Sequence, residues 1–255
     1  GKSISGKSEG PIRIGVAGAQ TGDLSDYGIP ALRAAKIIAG KINSRGGING
    51  RKIEVLAGDS RCKPEMVDQV ARKLISQGAS FIMGHTCSGT TKAAVGIYKQ
   101  AGILSISPSA TNPALTLSGD YPNFFRTIAH DEKQAELQVK YAREVLGVRR
   151  VACIHDKGYY GKEQAELAKK YFEQSGIEVA LFEGITPGAV DYSAVVQKIK
   201  RTAPDLVMFG GYHPEASKII SLIRKKQIDT LFMGVDGIKD DTFIRVAGNY
   251  SEGVY

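Results

Sequence analysis

The feature of this sequence that most limits its fold is a regular alternation of short apolar segments with longer amphipathic ones. Ile12–Val16 and Phe81–Gly84 are typical of the short segments, because their residues favour buried strands. Tyr27–Ser44 is typical of the long ones, because its apolar residues recur every three or four positions, as on one face of a helix. Strands and helices in alternation predict a parallel sheet with helices packed on both of its faces.

The alternation occurs in two runs, which are separated by an irregular stretch at Ser107–Tyr121. The predicted elements of the first run are Ile12–Val16, Tyr27–Ser44, Lys52–Leu56, Pro64–Gln77, Phe81–Gly84, Gly89–Gln100 and Ile103–Ile106. Those of the second run are Asp131–Leu146, Val151–Ile154, Gly161–Gln174, Val179–Phe182, Asp191–Arg201, Leu206–Phe209, Pro214–Lys226 and Leu231–Gly234. An eight-stranded barrel has no place for such a break. We therefore expect an α/β fold made of two doubly wound parallel-sheet lobes.

The two runs set the expected domain limits. We expect an N-terminal lobe over residues 11–127 and a C-terminal lobe over residues 128–251. Residues 1–10 are polar and rich in glycine and serine, so they are expected to form a flexible tail.

Two nucleotide-binding patterns can be compared with this order of elements. Gly1–Ser8 matches the phosphate-loop pattern GxxxxGK[ST], but no strand precedes it, and Glu9–Pro11 follows where a phosphate loop needs a helix. Gly15, Gly18 and Gly22 do not have the GxGxxG spacing of a dinucleotide-binding fold. We therefore expect no nucleotide cofactor.

Catalytic and metal-binding patterns are also missing from the sequence. It has no HExxH motif, no nucleophile-elbow arrangement of serine, histidine and aspartate, and no prominent pair of carboxylates. The four histidines lie at or beside strand ends without a second histidine three or four residues away, and are interpreted as hydrogen-bonded loop residues: His85, His130, His155 and His213. We expect a protein that is not an enzyme and that has no cofactor and no metal site.

The composition argues against two kinds of partner. The net charge is +8, but the basic residues are spread over predicted helix faces, and no zinc knuckle or recognition helix accompanies them. We therefore expect solvated helix surfaces and no nucleic-acid binding. Hydrophobic residues make up 42% of the chain, yet no apolar run approaches the roughly 20 residues of a membrane span, so membrane insertion is not expected.

The chain has three cysteines, Cys62, Cys87 and Cys153, so at most one intramolecular pair can form. A bridge between Cys62 and Cys87 would close a loop of about 25 residues and contribute about 3–4 kcal/mol in the chain-entropy model. Such a bridge would indicate an oxidising compartment. The residues alone leave the compartment open, because Gly1–Gly10 shows no secretory signal, as in a processed mature chain or a recombinant one.

The loops that follow the strands are the places to search for a ligand site, because open parallel sheets bind ligands at the carboxyl ends of their strands. At these loops the sequence resembles the bacterial leucine/isoleucine/valine-binding proteins, which are type I periplasmic substrate-binding proteins of ABC importers. The resemblance runs from about Pro11 to Tyr255 and depends on the order and spacing of short motifs. The motifs are Gly46–Gly50, Gly84–Ser88, Ser107–Thr111, His155–Lys157 with Tyr160–Gly161, Gly210–Glu215 and Phe232–Gly234.

The resemblance implies two lobes that close over a free amino acid, most readily a branched-chain or other aliphatic one. Ser88 would bind the ligand carboxylate through its hydroxyl. Thr111 would offer its N–H to the carboxylate and its hydroxyl to the ammonium, and the backbone carbonyl of Ser109 would accept from the ammonium. Asp236 would be the acidic partner of the ammonium, and Tyr212 would contact the backbone of the ligand.

Three further residues complete the ligand-binding set that the resemblance implies. Tyr27 and Tyr160 would form aromatic walls around the ligand, and Ala110 lies between the two polar residues of its motif. Simpler roles stay open for some of these positions, because Ser88 could only cap the helix that follows it. Tyr27 and Tyr160 could likewise serve packing alone.

The residue types suit the chemistry of an amino-acid zwitterion. Each of its two charges would cost several kcal/mol if it were buried without a partner. Hydroxyl and N–H groups offset this cost for the carboxylate, and carbonyls with one carboxylate offset it for the ammonium. Burial of an aliphatic side chain then contributes about 25 cal/mol per Å2.

The resemblance also implies a Cys62–Cys87 disulfide, a buried free thiol at Cys153, a periplasmic location and a membrane permease of an ABC importer as partner. Relatives continue beyond the point that matches Tyr255, so the C-terminal part is expected to be missing and Glu252–Tyr255 to begin a second crossing to the first lobe.

Two other functions are weighed against this one. A small-molecule enzyme on a doubly wound fold, such as a dehydrogenase, is disfavoured by the missing glycine fingerprint. The sensor domain of a two-lobed regulatory receptor would need an N-terminal helix-turn-helix, for which Gly1–Gly10 leaves no room.

Overall fold

The computed structural model describes residues 10–255. The rejected phosphate-loop pattern at Gly1–Ser8 and residues 1–9 of the predicted tail lie outside the described residues. The described chain forms two compact units. The first comprises residues 10–110 and 114–128, and the second comprises residues 111–113 and 129–255. These units are groups of residues in mutual contact. The lobes expected at residues 11–127 and 128–251 would each have to fold as a domain, so they stay a prediction.

The first unit contains a five-stranded parallel sheet with the strand order β2-β1-β3-β4-β5. Its strands are β1 (Ile12–Gly18), β2 (Ile53–Asp59), β3 (Phe81–Gly84), β4 (Leu104–Ser107) and β5 (Phe124–Arg126). Its helices are α1 (Ser25–Ser44), α2 (Val67–Ser76, after a 3-10 turn at Pro64–Met66), α3 (Ser88–Gln100) and α4 (Ala114–Leu117). The order reverses between β1 and β3, and a ligand site is expected outside the carboxyl ends of such neighbouring strands.

The second unit contains a four-stranded parallel sheet with the order β7-β6-β8-β9, which reverses between β6 and β8. Its strands are β6 (Arg150–His155), β7 (Glu178–Gly184), β8 (Leu206–Gly210) and β9 (Leu231–Gly234). Its helices are α5 (Asp131–Glu144), α6 (Gly161–Gln174), α7 (Ser193–Thr202), α8 (His213–Lys225) and α9 (Asp241–Ala247), with 3-10 turns at Asp236–Ile238 and Gly248–Ser251. Val254 forms a parallel bridge with Phe232, so the last residues lie beside β9.

The second sheet is buried on both faces, as a doubly wound fold requires. Phe209 belongs to a cluster on one face with Ile199 and Phe232. Its neighbour Met208 belongs to a cluster on the other face with Phe172. Side chains of successive strand residues point to opposite faces, so the continuous apolar sequence of β8 follows from burial on both sides.

The first sheet is covered less evenly. Leu74 of α2 and Tyr98 of α3 pack with Ile82 in one buried cluster. On the opposite side α1 packs against β1 and β2, while Leu104 and Phe125 remain exposed. None of the helices within residues 10–255 combines the length and apolarity that a membrane span requires.

The predicted fold class is confirmed, and the predicted bounds of β3, β9 and α6 match those of the structure. Sequence patterns missed β5, α4 and α9, which have three, four and seven residues. Such short elements span at most about two helical turns, and periodicity needs a window of roughly 11 residues or more. These elements therefore depend on contacts with the rest of their unit.

Candidate ligand-binding site

The predicted site residues of the first unit follow neighbouring strands. Tyr27 lies in α1 after β1, Ser88 begins α3 after β3, and Ser109 and Ala110 follow β4. Since β1, β3 and β4 are adjacent in the sheet, their carboxyl ends bring these residues to one edge. The edge includes the β1–β3 reversal, where a ligand site is expected.

The hydroxyl of Ser107 holds the loop after β4 in place. It donates to the carbonyl of His85 at 2.6 Å and accepts from the N–H groups of Ala110 at 2.9 Å and Ser109 at 3.2 Å. The Ser109 hydroxyl donates to the carbonyl of Thr86 at 2.7 Å. Residues 109–110 are therefore tied to the loop that precedes Ser88.

Ser88 is the first residue of α3 and only 2% exposed. The N-cap position belongs to Cys87, which makes no side-chain capping bond. The first N–H groups of a helix have no partner within the helix, and together with the helix dipole they favour an anion. This position suits a carboxylate.

The predicted disulfide is confirmed. Cys62 and Cys87 are bonded, with their Cα atoms 5.6 Å apart, and the bridge ties the loop after β2 to the start of α3. Cys153 is the free, buried cysteine that was expected. Burial raises the pKa of its thiol to about 12, so it stays protonated at neutral pH.

Thr111 belongs to the second unit, although its motif neighbours Ser109 and Ala110 belong to the first. It is buried, and its carbonyl accepts the N–H of Asp131 at 3.0 Å. Thr111 therefore occupies the chain connection and satisfies a backbone donor at the start of α5.

Three predicted site residues meet at the strand ends of the second unit. Tyr160 follows β6, Tyr212 follows β8 and Asp236 follows β9. The Tyr160 hydroxyl donates to Asp236 Oδ1 and accepts the Gly237 N–H at 3.1 Å. The rings of Tyr160 and Tyr212 lie 5.2 Å apart between centroids. The three side chains therefore form one continuous group.

The protonation state of Tyr160 is determined by its surroundings. Burial and the neighbouring Asp236 carboxylate raise the pKa of the phenol well above its ordinary value. Tyr160 is therefore a hydrogen-bond donor throughout the physiological range. Its partner Asp236 lies at an exposed position.

Sequence reasoning missed one contact of this group. Gln134 of α5 places its side-chain amide against Asp236, 2.8 Å from the backbone nitrogen and 3.2 Å from Oδ1. A signal was present, because Asp131, Gln134 and Gln138 recur at spacings of three and four beside the apolar face of the predicted helix. Gln138 also reaches this region, since its amide donates to the Gly234 carbonyl at 2.7 Å.

Asp236 and Gln134 also line a groove of about 750 Å3 in the second unit, together with residues 234–235 and 238–241, Val254 and Tyr255. Tyr160 and Tyr212 are not among its lining residues. Asp236 therefore borders two separate features, the groove and the pair of rings of Tyr160 and Tyr212.

The loop after β6 contains a buried carboxylate. Asp156 is 6% exposed and accepts the Gly158 N–H at 2.8 Å. Burial raises its pKa to about 6. A Cβ at Gly161 would lie 2.4 Å from Asp156 Oδ1 and 2.5 Å from the Gly210 carbonyl oxygen. Only glycine allows this close approach of α6 to β8.

For two of the histidines, the interpretation as hydrogen-bonded residues is confirmed. His85 lies between the hydroxyls of Ser60 at 3.3 Å and Tyr98 at 3.0 Å. Burial lowers its pKa to about 4, so it is neutral at pH 7. His155 accepts the Lys157 N–H at 3.1 Å.

Comparison with known proteins places this geometry in context. The chain is 37% identical over 243 residues to the leucine-, isoleucine-, valine-, threonine- and alanine-binding protein of Pseudomonas aeruginosa. It is 35% identical over 243 residues to the Leu/Ile/Val-binding protein of Escherichia coli K12. Each alignment covers 95% of the chain but only 65% and 66% of these relatives, so the chain spans slightly less than two thirds of their length.

Solved structures show the same fold. The branched-chain amino acid transporter substrate-binding protein LivJ of Streptococcus pneumoniae, in complex with isoleucine, matches with a TM-score of 0.85 and 31% identity, over 96% of this chain and 70% of that one. The leucine-binding protein LivK of Thermotoga maritima matches with a TM-score of 0.88 at 22% identity, over 95% and 68% of the two chains. The latter likeness concerns the fold alone.

The family model described as periplasmic binding protein matches residues 11–255, which is nearly the whole chain. The sequence motifs, the two parallel sheets and the relatives agree with this match. The chain belongs to the periplasmic binding protein family.

Proposed function

We propose that this protein is an extracytoplasmic receptor that binds a free amino acid, branched-chain or otherwise aliphatic, for uptake by an ABC importer. The observation that carries the proposal is the opposite polarity of the strand-end groups in the two units. Ser88 and the start of α3 suit an anion, whereas Asp236 offers a carboxylate to a cation. An amino acid has one group of each kind.

The carboxylate of the ligand is bound by hydroxyl and N–H donors. Ser88 supplies its hydroxyl and the first N–H groups of α3, and Thr111 supplies its N–H. The Ser109 hydroxyl is occupied by the Thr86 carbonyl, so the role proposed for Ser109 belongs to its backbone carbonyl. That carbonyl accepts from the ammonium together with the hydroxyl of Thr111.

The ammonium is bound chiefly by Asp236. Its Oδ1 accepts from Tyr160, while Oδ2 has no hydrogen-bond donor among residues 10–255. An ammonium has three donors and needs acceptors in place of water. The rings of Tyr160 and Tyr212, with Tyr27 and the backbone at Ala110, surround the remainder of the ligand and favour an aliphatic side chain.

The relatives support a proposal for the biological setting. Proteins at 35–37% identity are named for the amino acids that they bind, and the relative from Streptococcus pneumoniae is a transporter substrate-binding protein. We propose a periplasmic location, a membrane permease as partner and no catalytic activity. The disulfide agrees with an oxidising compartment.

A thermal-shift screen against the twenty standard amino acids tests the proposal. A ligand that binds only the native state stabilises it by about 2.7 kcal/mol at one hundred times its Kd, so leucine, isoleucine or valine should raise the melting temperature most. The matched control is the des-amino acid of the same side chain, which lacks the ammonium and should raise it much less. A melting temperature unchanged by all twenty amino acids would contradict the proposed function.

A further inference from the structure

The Asp236 carboxylate is held from the helix side by Gln134, in the first turn of α5. The side-chain amide lies 2.8 Å from the Asp236 nitrogen and 3.2 Å from Oδ1. With its oxygen towards the backbone N–H and its nitrogen towards Oδ1, the amide forms two hydrogen bonds with one residue. The reverse orientation would place a donor against a donor and an acceptor against an acceptor.

The space around the Gln134 side chain is limited by α6. The amide of Gln164, which is fully buried, lies 2.6 Å from the amide of Gln134, and in the orientation that bonds Asp236 this contact is between two amide nitrogens and is not a hydrogen bond. The Gln164 nitrogen also lies 2.9 Å from Oδ1 of Asp131, a buried carboxylate. Packing of α6 against α5 therefore restricts the rotamers that Gln134 can adopt.

Because of these contacts, the two oxygens of the Asp236 carboxylate differ in their hydrogen bonding. Oδ1 accepts from the Tyr160 hydroxyl and from the Gln134 amide. Oδ2 has no donor among the residues that the structure describes, and Asp236 is exposed. One oxygen is therefore fixed by the protein, which determines the direction in which the other points. A preoriented acceptor loses less conformational freedom when a ligand binds.

We propose that Gln134 is a positioning residue, which orients Asp236 so that Oδ2 receives the ligand ammonium. This inference rests on the proposed function and deepens it, since it adds a residue of α5 that does not itself contact the ligand. Gln134 then contributes to affinity only through Asp236.

Two variants of Gln134 distinguish a role in orienting the Asp236 carboxylate from a role in stabilising the surrounding backbone. Gln134→Met removes both hydrogen bonds, so the Asp236 amide proton should exchange at least about tenfold faster and amino-acid affinity should fall about tenfold or more. Gln134→Glu keeps an acceptor for the backbone N–H but places an acceptor against Oδ1. It should therefore retain the amide protection and still lose affinity. Gln197→Met and Gln197→Glu, at an exposed position of α7, are the matched controls.

The measurements are hydrogen exchange by NMR on the ligand-free protein and calorimetry with leucine. In an Asp236→Asn background neither Gln134 variant should weaken binding further. The positioning role is overturned if Gln134→Glu binds leucine as tightly as the wild type. It is also overturned if the affinity of the two Gln134 variants falls only to the extent that their Asp236 amide protection falls. Either result leaves the proposed function intact. A wild-type protein that binds none of the twenty amino acids instead overturns the proposed function, and the ammonium role of Oδ2 with it.

Discussion

At the scale of single residues, the charge of Asp236 is the feature on which recognition of an ammonium most depends. The side chain follows β9 and shares one oxygen with Tyr160. Ser88, Thr111 and Tyr212 contribute neutral groups, so Asp236 is the charged member of the proposed site. A buried ammonium that loses such a partner retains its desolvation cost without compensation.

Replacement of Asp236 by alanine should therefore weaken amino-acid binding by at least about 2 kcal/mol. Isothermal titration calorimetry with leucine measures this change directly. Asp229→Ala removes the same charge from an exposed position before β9 and should leave the affinity unchanged. Equal calorimetric affinity in Asp236→Ala and the wild type would refute the role of Asp236.

A second prediction concerns Asp156 and the pH dependence of the stability of the folded protein. Burial raises its pKa to about 6 in the folded protein, from its ordinary value of 3.8. Below about pH 3, Asp156 is protonated in both the folded and the unfolded state. As the pH rises towards 6 the unfolded chain ionises first, so the folded state loses stability, and at pH 7 the loss reaches about 3 kcal/mol.

Asp156→Asn cannot ionise, and its amide oxygen can still accept the Gly158 N–H. The variant should therefore be more stable than the wild type at pH 7, and the difference should shrink as the pH falls to about 4. Urea unfolding of both proteins at each pH measures it. The difference must be taken pH by pH, because the lowered pKa of His85 destabilises both proteins in acid. A difference independent of pH would contradict the prediction.

At the scale of elements, two glycines set how closely α6 approaches β8. A Cβ at Gly161 would lie 2.5 Å from the Gly210 carbonyl oxygen, which is backbone and cannot turn away. Tyr160 immediately precedes this contact. The approach of the helix therefore determines where the phenol meets Asp236.

Gly161→Ala should destabilise the second unit and weaken amino-acid binding, because it moves the start of α6 away from β8. Chemical denaturation and calorimetry measure the two effects, which we expect to reach about 1–3 kcal/mol in stability. Gly96→Ala is the control: this residue lies within α3 with no atom within 4 Å of an added Cβ. Alanine there should stabilise the helix by about 0.5–1 kcal/mol. Equal effects of the two substitutions would rule out the steric explanation.

The long helices were all predicted from the sequence, whereas the elements that were missed are short. The predicted bounds of α6 match, and those of α3 and α5 differ by one and two residues, because amphipathic periodicity repeats several times along each helix. The strand β5 has three residues, too few for a period. Its existence depends on pairing with β4, in which Ser105 lies opposite Phe124.

At the scale of the whole molecule, the apolar cores follow the division into two units. Leu74, Ile82 and Tyr98 form a cluster within the first unit, and Phe172 and Met208 belong to one within the second. We propose that the units correspond to the lobes expected at residues 11–127 and 128–251. A substitution in the core of one lobe should then destabilise mainly that lobe.

Leu74→Ala and Phe172→Ala each remove a fully buried side chain and should cost about 2–5 kcal/mol. If the lobes are independent, hydrogen exchange should accelerate mainly within residues 11–127 in the first variant and within 128–251 in the second. Mass spectrometry of peptic fragments resolves the two regions. Equal acceleration across both regions in either variant would contradict independent lobes.

The sequence alone determined the fold class, the loops that carry the candidate site and the family resemblance. Periodicity is a local property, and the carboxyl ends of parallel strands share an edge whatever their other contacts. The identity of the cysteine pair came from the resemblance, and the structure contains the same bond.

The way in which the site residues are held depends on contacts between distant parts of the chain. Tyr160 and Asp236 are 76 residues apart in sequence, and Gln134 meets Asp236 because α5 packs beside the end of β9. The Ser107 hydroxyl similarly joins two loops whose proximity depends on the neighbouring strands β3 and β4. Hydrogen bonds of this kind need positions accurate to a few tenths of an ångström, which local sequence patterns do not specify and a packed core does.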